Sequence, residues 1–181
     1  MNNSSSFLLR ASLLFFLVAS VASAAVKLPS ILGNHMVLQQ GEPVPVWGWA
    51  DPGENIEVTF HGTTVSTKAD KDGKWQVNLP ACKANAKGAD LVVKGSNEIK
   101  FSDVLVGEVW LCSGQSNMEW TVSRSANAKE EIANAKHPLI RHVKVPHRPS
   151  DKPESDVNTC LLYTSDAADE GLGVDLGGRR I

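Results

Sequence analysis

The sequence predicts a mixed fold: an all-β, sandwich-like region over residues 25–103, then the opening of an α/β domain over residues 104–159. Three observations carry that expectation. Short alternating stretches separated by turn residues recur from about residue 26 onward. The pattern changes at Val104, where "VLVGEVWL" is almost continuously apolar, as in a strand buried on both faces. After that run the chain reads turn, helix, strand, which is how an α/β unit begins.

The bulk numbers agree with a globular product. The chain has 181 residues, a formal net charge of −2 and 42% hydrophobic residues, enough apolar material for one domain or two small ones. The charge is near zero, and no basic block interleaved with aromatics occurs. Nucleic acid and anionic membrane surfaces are therefore not expected as partners.

Residues 1–24 have the layout of a secretory signal peptide. Arg10 precedes an apolar stretch from Leu13 to Val21, and Ala22-Ser23-Ala24 supplies the small-x-small cleavage pattern. The stretch is shorter than the ~20 residues a membrane span needs. The expected mature chain starts near Ala25, is secreted or periplasmic, and has no stable membrane insertion after cleavage. Export permits disulfides, but the three cysteines Cys82, Cys112 and Cys160 cannot all pair within one chain. Cys112, inside the apolar run, is expected to be a buried thiol.

The β-rich region is punctuated by Gly41, Pro43 and Pro45, and Asp51-Pro52-Gly53, the last a β-turn in which Pro fixes φ and Gly accepts positive φ. Ile56, Val58 and Phe60 then alternate with Glu57 and Thr59, a period of two. Lys71-Asp72-Gly73 is read as a hairpin turn between "TTVSTKA" and "KWQVNLP", placing Trp75, Val77 and Leu79 on one face. "ADLVVKG" and "NEIKFSDV" continue the strand pattern. Trp47 and Trp49 flank Gly48, with core and edge packing as the expected role and a sugar-stacking platform as the alternative.

Beyond Val104, Gly107 and Glu108 interrupt the apolar run and confine the predicted buried strand to Val109–Cys112. A helix is predicted over about Ala126–Ala135, opened by an Asn127/Glu130 capping box. "PLIRHVKVP" predicts a strand over Leu139–Val145, and "PHRPSDKPESD" a proline-rich loop. Residues 160–181 lose this grammar and resemble a translated sequencing adaptor more than a packed segment. A non-native or disordered tail without stable structure is expected there.

Ser116 is the candidate nucleophile. Small residues Ser113 and Gly114 after an apolar strand allow a sharp turn at the strand's C-terminal edge, where open α/β sheets place ligands. Gly114 lacks a Cβ, so substrate or backbone can approach closely. The backbone amides of Ser116 and Asn117 are candidate oxyanion donors. A serine hydroxyl still needs a general base and a group to orient that base. By spacing alone, Gly114-Gln115-Ser116-Asn117-Met118 departs from the Gly-x-Ser-x-Gly elbow at its fifth position.

The wording of the segment adds to this. "GEVWLCSGQSNMEW" closely resembles the nucleophile block of the sialate O-acetylesterase family, within the SGNH hydrolase superfamily. "HMVLQQGEPVPVWGWADPGENIEVTF", "DGKWQVNLP", "DVLVGEVW" and "IRHVKVPHRPSDKP" resemble the same family, so the likeness runs from about residue 28 to 158. The resemblance implies a flavodoxin-like α/β hydrolase domain beginning near Val104. It implies acetyl-ester hydrolysis on sugars without cofactor or metal, an O-acetylated carbohydrate as partner, and Ser116 as nucleophile. Gly114, Gln115 and Asn117 would then line the oxyanion and substrate-binding site.

The same resemblance implies that the catalytic Asp and His come from an Asp-x-x-His block, and no such block occurs in these 181 residues. His35, His61, His137, His142 and His147 all lack an Asp three residues earlier. The base is therefore expected beyond residue 181, and the chain is expected to be inactive. An apolar strand without its sheet is also expected to expose surface. Acetylated xylan is an alternative substrate, and a non-catalytic glycan-binding β module using Trp47, Trp49 or Trp75 is an alternative function. No His/Cys/Asp/Glu cluster has metal-ligand spacing.

Overall fold

The computed structural model describes residues 25–146, 148–157 and 160–166, so the predicted signal peptide, His147 and the last part of the tail lie outside the described residues. The strands are β1 (Val37–Gln39), β2 (Val44–Trp49), β3 (Asn55–Phe60), β4 (Thr63–Lys68), β5 (Lys74–Leu79), β6 (Asn85–Lys94), β7 (Glu98–Gly107), β8 (Lys136–Lys144) and β9 (Cys160–Asp166). They form a five-stranded sheet ordered β1-β7-β6-β3-β4 and two separate pairs, β2-β5 and β8-β9. The fold is mainly β. Among the described residues the helices are one short α-helix, α1 (Ala128–Asn134), and two 3-10 turns.

The alternation read from the sequence sets the core. Ile56, Val58 and Phe60 of β3 are buried while Asn55 and Glu57 face solvent. Trp75, Val77 and Leu79 of β5 are buried with polar neighbours between them. Together with Val46 of β2, Leu91 and Val93 of β6, and Val104 and Val106 of β7, they form one continuous cluster. Two sheets thus share a single apolar interior, and removal of this area from water is the dominant stabilising term.

The turns hold where local chemistry dictates them, but one joins different strands from those expected. Asp51-Pro52-Gly53 turns with Gly53 at φ 81, and the Glu54 amide donates to the Asp51 carbonyl at 3.0 Å. Lys71-Asp72-Gly73 also turns, stabilised by the Asp70 carboxylate accepting from the Asp72 and Lys74 amides at 2.9 and 2.8 Å. It is not a hairpin. It carries the chain from β4 in the large sheet to β5, which pairs with β2 in full six-residue register from Val44↔Leu79 to Trp49↔Lys74. The real two-residue hairpin is His61-Gly62 between β3 and β4, with both residues at positive φ, 47 and 77. Two positive-φ residues match the right-handed twist of the strands.

Gly48 has a steric reason. A Cβ there would lie 2.1 Å from the Lys27 carbonyl oxygen, where the N-terminal segment bridges to Trp49. Only glycine lets those two backbones meet, and this separates Trp47 from Trp49 by one residue without a side chain.

The region after Val104 differs more from expectation. The boundary drawn there falls inside β7, whose last residues pair with β1 in parallel, Val37↔Leu105 to Gln39↔Gly107. Val104, Leu105 and Val106 are all buried, so the covered stretch lies before Gly107 and not at Val109–Cys112, where the sequence placed it. That stretch is no strand, Val109, Trp110 and Leu111 are 53%, 82% and 94% exposed, and Cys112 is exposed rather than buried. No described strand lies alongside to take its backbone hydrogen bonds, and a strand exists only through its neighbours.

The helix forms over Ala128–Asn134, but Asn127 is left-handed at φ 56 and makes no side-chain cap. The Glu130 and Glu131 amides donate instead to the Asn127 carbonyl. The predicted strand Leu139–Val145 appears as β8, starting earlier, and joins β9 rather than the five-stranded sheet. β9 corrects the reading of the tail as structureless from residue 160: Cys160–Asp166 pairs antiparallel with β8, from Lys136↔Asp166 to Lys144↔Cys160.

Candidate active site

Ser116 opens a one-turn 3-10 helix, Ser116–Glu119, that follows an extended Gln115 at φ −100 and ψ −155. The turn is closed by the Met118 amide donating to the Gln115 carbonyl at 2.9 Å and the Trp120 amide to the Asn117 carbonyl at 3.2 Å. The first amides of such a turn have no intrahelical acceptor. Those of Ser116 and Asn117 have no hydrogen-bond partner among the described residues. Gly114 lies against this turn: a Cβ there would stand 2.8 Å from Met118 Cγ. Gly114, Gln115, Ser116 and Asn117 are thus consecutive on one exposed turn.

The turn's position differs from the sequence expectation. Ser116 does not project from a strand's end, because the last strand before it stops at Gly107 and the intervening residues are irregular and exposed. Glu108 anchors the start of that stretch. Gln40 and Gln39 donate to its carboxylate at 2.5 and 3.3 Å, which holds it below the ordinary carboxylate range, and the Val109 amide donates to Gln39 Oε1 at 2.9 Å.

Ser116 makes no side-chain hydrogen bond to a histidine among the described residues. His35 is engaged elsewhere, with its Nδ1 2.8 Å from Asp103 Oδ2. His61 stacks edge-on to Phe60 at 4.2 Å, His137 is exposed on β8, and His142 lies in β8 opposite Tyr163. Among the described residues no group of three His, Cys, Asp or Glu could hold a metal ion, and no helix is long and apolar enough to cross a membrane.

One polar cluster was missed from sequence. Arg141 of β8 is 4% exposed at its side chain and donates from Nη2 to Asp103 Oδ2 at 2.7 Å and from Nη1 to the His35 carbonyl at 2.9 Å. Asp103 is held below the usual carboxylate range, first by the His35 hydrogen bond and further by the Arg141 charge, with burial opposing. Both His35 and Asp103 have positive φ, 64 and 57. Gly88 makes this geometry possible, since a Cβ there would sit 2.1 Å from Asp103 Oδ1, at the irregular part of the β6–β7 ladder. The cluster ties the segment after Ser116 back to the β core. The only sequence trace of it was Gly88 interrupting a strand, a sign of a bulge or close approach.

No protein-family model matches the chain. The chain is 32% identical over 166 residues to the sialate O-acetylesterase of Pongo abelii, with 84% of this chain and 31% of that protein covered. The Homo sapiens sialate O-acetylesterase gives the same identity and coverage, and the Mus musculus one is 31% identical over 169 residues. Among solved structures, a novel carbohydrate acetylesterase from Xanthomonas citri superposes with a TM-score of 0.77 at 37% identity, over 81% of this chain and 34% of that one. The chain therefore spans about a third of the length of the curated relatives it matches.

Proposed function

The chain belongs to the sialate O-acetylesterase family, and on that premise we propose that it carries the nucleophile segment of a secreted carbohydrate O-acetylesterase. Ser116 Oγ attacks the carbonyl carbon of a sugar-bound acetyl ester, the sugar alkoxide leaves with a proton, and water hydrolyses the acetyl-serine to acetate. The Ser116 and Asn117 amides donate hydrogen bonds to the carbonyl oxygen as negative charge develops on it. Gln115 and Gly114 border the substrate, the glycine by leaving room beside the turn. O-acetyl sialic acid is the leading substrate, and acetylated xylan the alternative.

The observation that carries this reading is the exposed Gly114-Gln115-Ser116-Asn117 turn with two unpaired amides at its start, in a chain whose matched relatives act as acetylesterases. The second half of the proposal is that these 181 residues do not turn over alone. Ser116 has no base hydrogen-bonded to it among the described residues, and loss of the triad base lowers rates by several orders of magnitude.

The test compares acetate release from O-acetylated sialoside and acetylxylan by the 181-residue chain and by a chimera. The chimera splices residues 25–157 onto the remaining part of the Xanthomonas citri relative. The chain alone is expected to release nothing above the blank. The chimera is expected to hydrolyse, and Ser116→Ala in it to lose at least ~10³-fold in kcat. Turnover by the chain alone, or an active Ser116→Ala chimera, would overturn the reading.

A further inference from the structure

We propose that the outer face of the β2–β5 pair is a carbohydrate-binding subsite, separate from the Ser116 turn, that takes a neutral pyranose ring. The strand period puts Val46 and Gly48 of β2 into the core and Trp47 and Trp49 on the opposite face, both half-buried. Their ring centroids lie 5.9 Å apart at 87°, so one indole offers a flat face and the other an edge. Full register with β5 sets Gln76 opposite Trp47 and Lys74 opposite Trp49, each exposed. With Asp70 these residues line a cleft of about 430 Å³, within the ~300–1,000 Å³ typical of small-ligand sites.

Trp75 borders the cleft only from the core side, packed beneath Gly48, so the outer face itself is built by Trp47, Trp49, Lys74 and Gln76.

The lining selects the ligand's chemistry. A pyranose has an apolar C–H face that packs on an indole and a rim of hydroxyls that need donors and acceptors. Gln76 offers both. The one anion, Asp70, and the one cation, Lys74, leave the cleft with no net charge to match a charged sugar. Asp70 Oδ1 is already occupied by the Asp72 and Lys74 amides, which fixes its carboxylate for hydrogen bonding.

The proposal does not depend on ester hydrolysis, and its test is run in the Ser116→Ala background to keep the two apart. The 181-residue chain is titrated with cellohexaose and, separately, with sialyllactose, while the indole N–H resonances are followed by NMR. Cellohexaose is expected to shift the Trp47 and Trp49 Nε1–H signals. Trp49→Ala is expected to weaken binding about 30-fold, as for truncation of an aromatic anchor. Gln76→Ala, at an exposed position that leaves the core alone, is expected to weaken it several-fold, and Trp110→Ala not at all. No shift at millimolar sugar, equal binding by Gln76→Ala and Trp49→Ala proteins, or binding to sialyllactose alone would overturn it.

Discussion

Leu91 and Leu111 are twenty positions apart in one chain, yet the first is fully buried and the second is 94% exposed. Leu91 sits in β6 between Phe60 of β3 and Phe101 of β7. Leu111 follows β7 and has no described strand beside it. The contrast extends to whole regions. Among the described residues every buried hydrophobic lies between Val26 and Val106, and from 108 to 157 no hydrophobic residue is buried. Apolar sequence alone does not make a core. The β region supplies, within itself, the strands that cover one another, and the nucleophile segment does not.

What does hold the second region to the first is polar. Arg141 reaches from β8 to Asp103 and His35, and Ser30 donates from its amide to the Asp156 carboxylate and from its hydroxyl to the Val157 carbonyl. Such contacts fix orientation, but their net worth is modest beside apolar burial.

Four experiments test this division. The largest effect is expected in the core: Leu91→Ala should lower the unfolding free energy by ~2–5 kcal/mol in urea titrations. A cost below ~1 kcal/mol would mean that the two sheets do not share one interior.

Next comes the tie between the regions. Arg141→Ala removes the hydrogen bond of a guanidinium to the Asp103 carboxylate and those to the His35 and Asp103 carbonyls, each worth at most ~1.5–3 kcal/mol. Amide exchange is expected to quicken across β8 while β3, β5 and β6 stay protected. Arg141→Lys should restore only part of the protection, because an ammonium cannot reproduce the guanidinium's forked contact. Uniform loss across both regions would erase the distinction drawn between them.

A smaller effect is expected from acid. Asp103 is held below its ordinary value of 3.8 in the folded chain, chiefly by His35. Its stabilising contribution is therefore complete above 3.8 and fades as pH falls through the lower folded value. Exchange in β8 should quicken in that acid range before the core responds, and Asp103→Asn should abolish the pH-dependent step. The Asp103 side chain is 40% exposed, so solvent screening keeps the effect small.

The smallest change is expected at Leu111→Ser, within ~0.5 kcal/mol of the parent, since no packing is lost. Its visible consequence should be in solubility: an exposed run of Val109, Trp110 and Leu111 favours association, and the serine should raise the concentration at which light scattering begins. A substantial loss of stability would show that this run is packed after all.

Features that depend on near neighbours can be read from the residues alone. The period of two placed Ile56, Val58, Phe60, Trp75, Val77 and Leu79 inward, because a strand's side chains alternate whatever it pairs with. Asp51-Pro52-Gly53 and Asp72-Gly73 turned, because φ preferences are properties of the residues themselves. The Gly114–Asn117 block was also legible, as a string of residue types. Which strands those turns connect depends on long-range pairing, and that pairing sent β5 to β2 rather than to β4. It likewise decided that cover on both faces reaches Val106 and not Leu111, that Gly88 makes room for Asp103, and that Arg141 closes on it. Each of these is a contact between residues far apart in sequence. Such pairing is settled by which surfaces meet when the whole chain folds, and no local pattern encodes it.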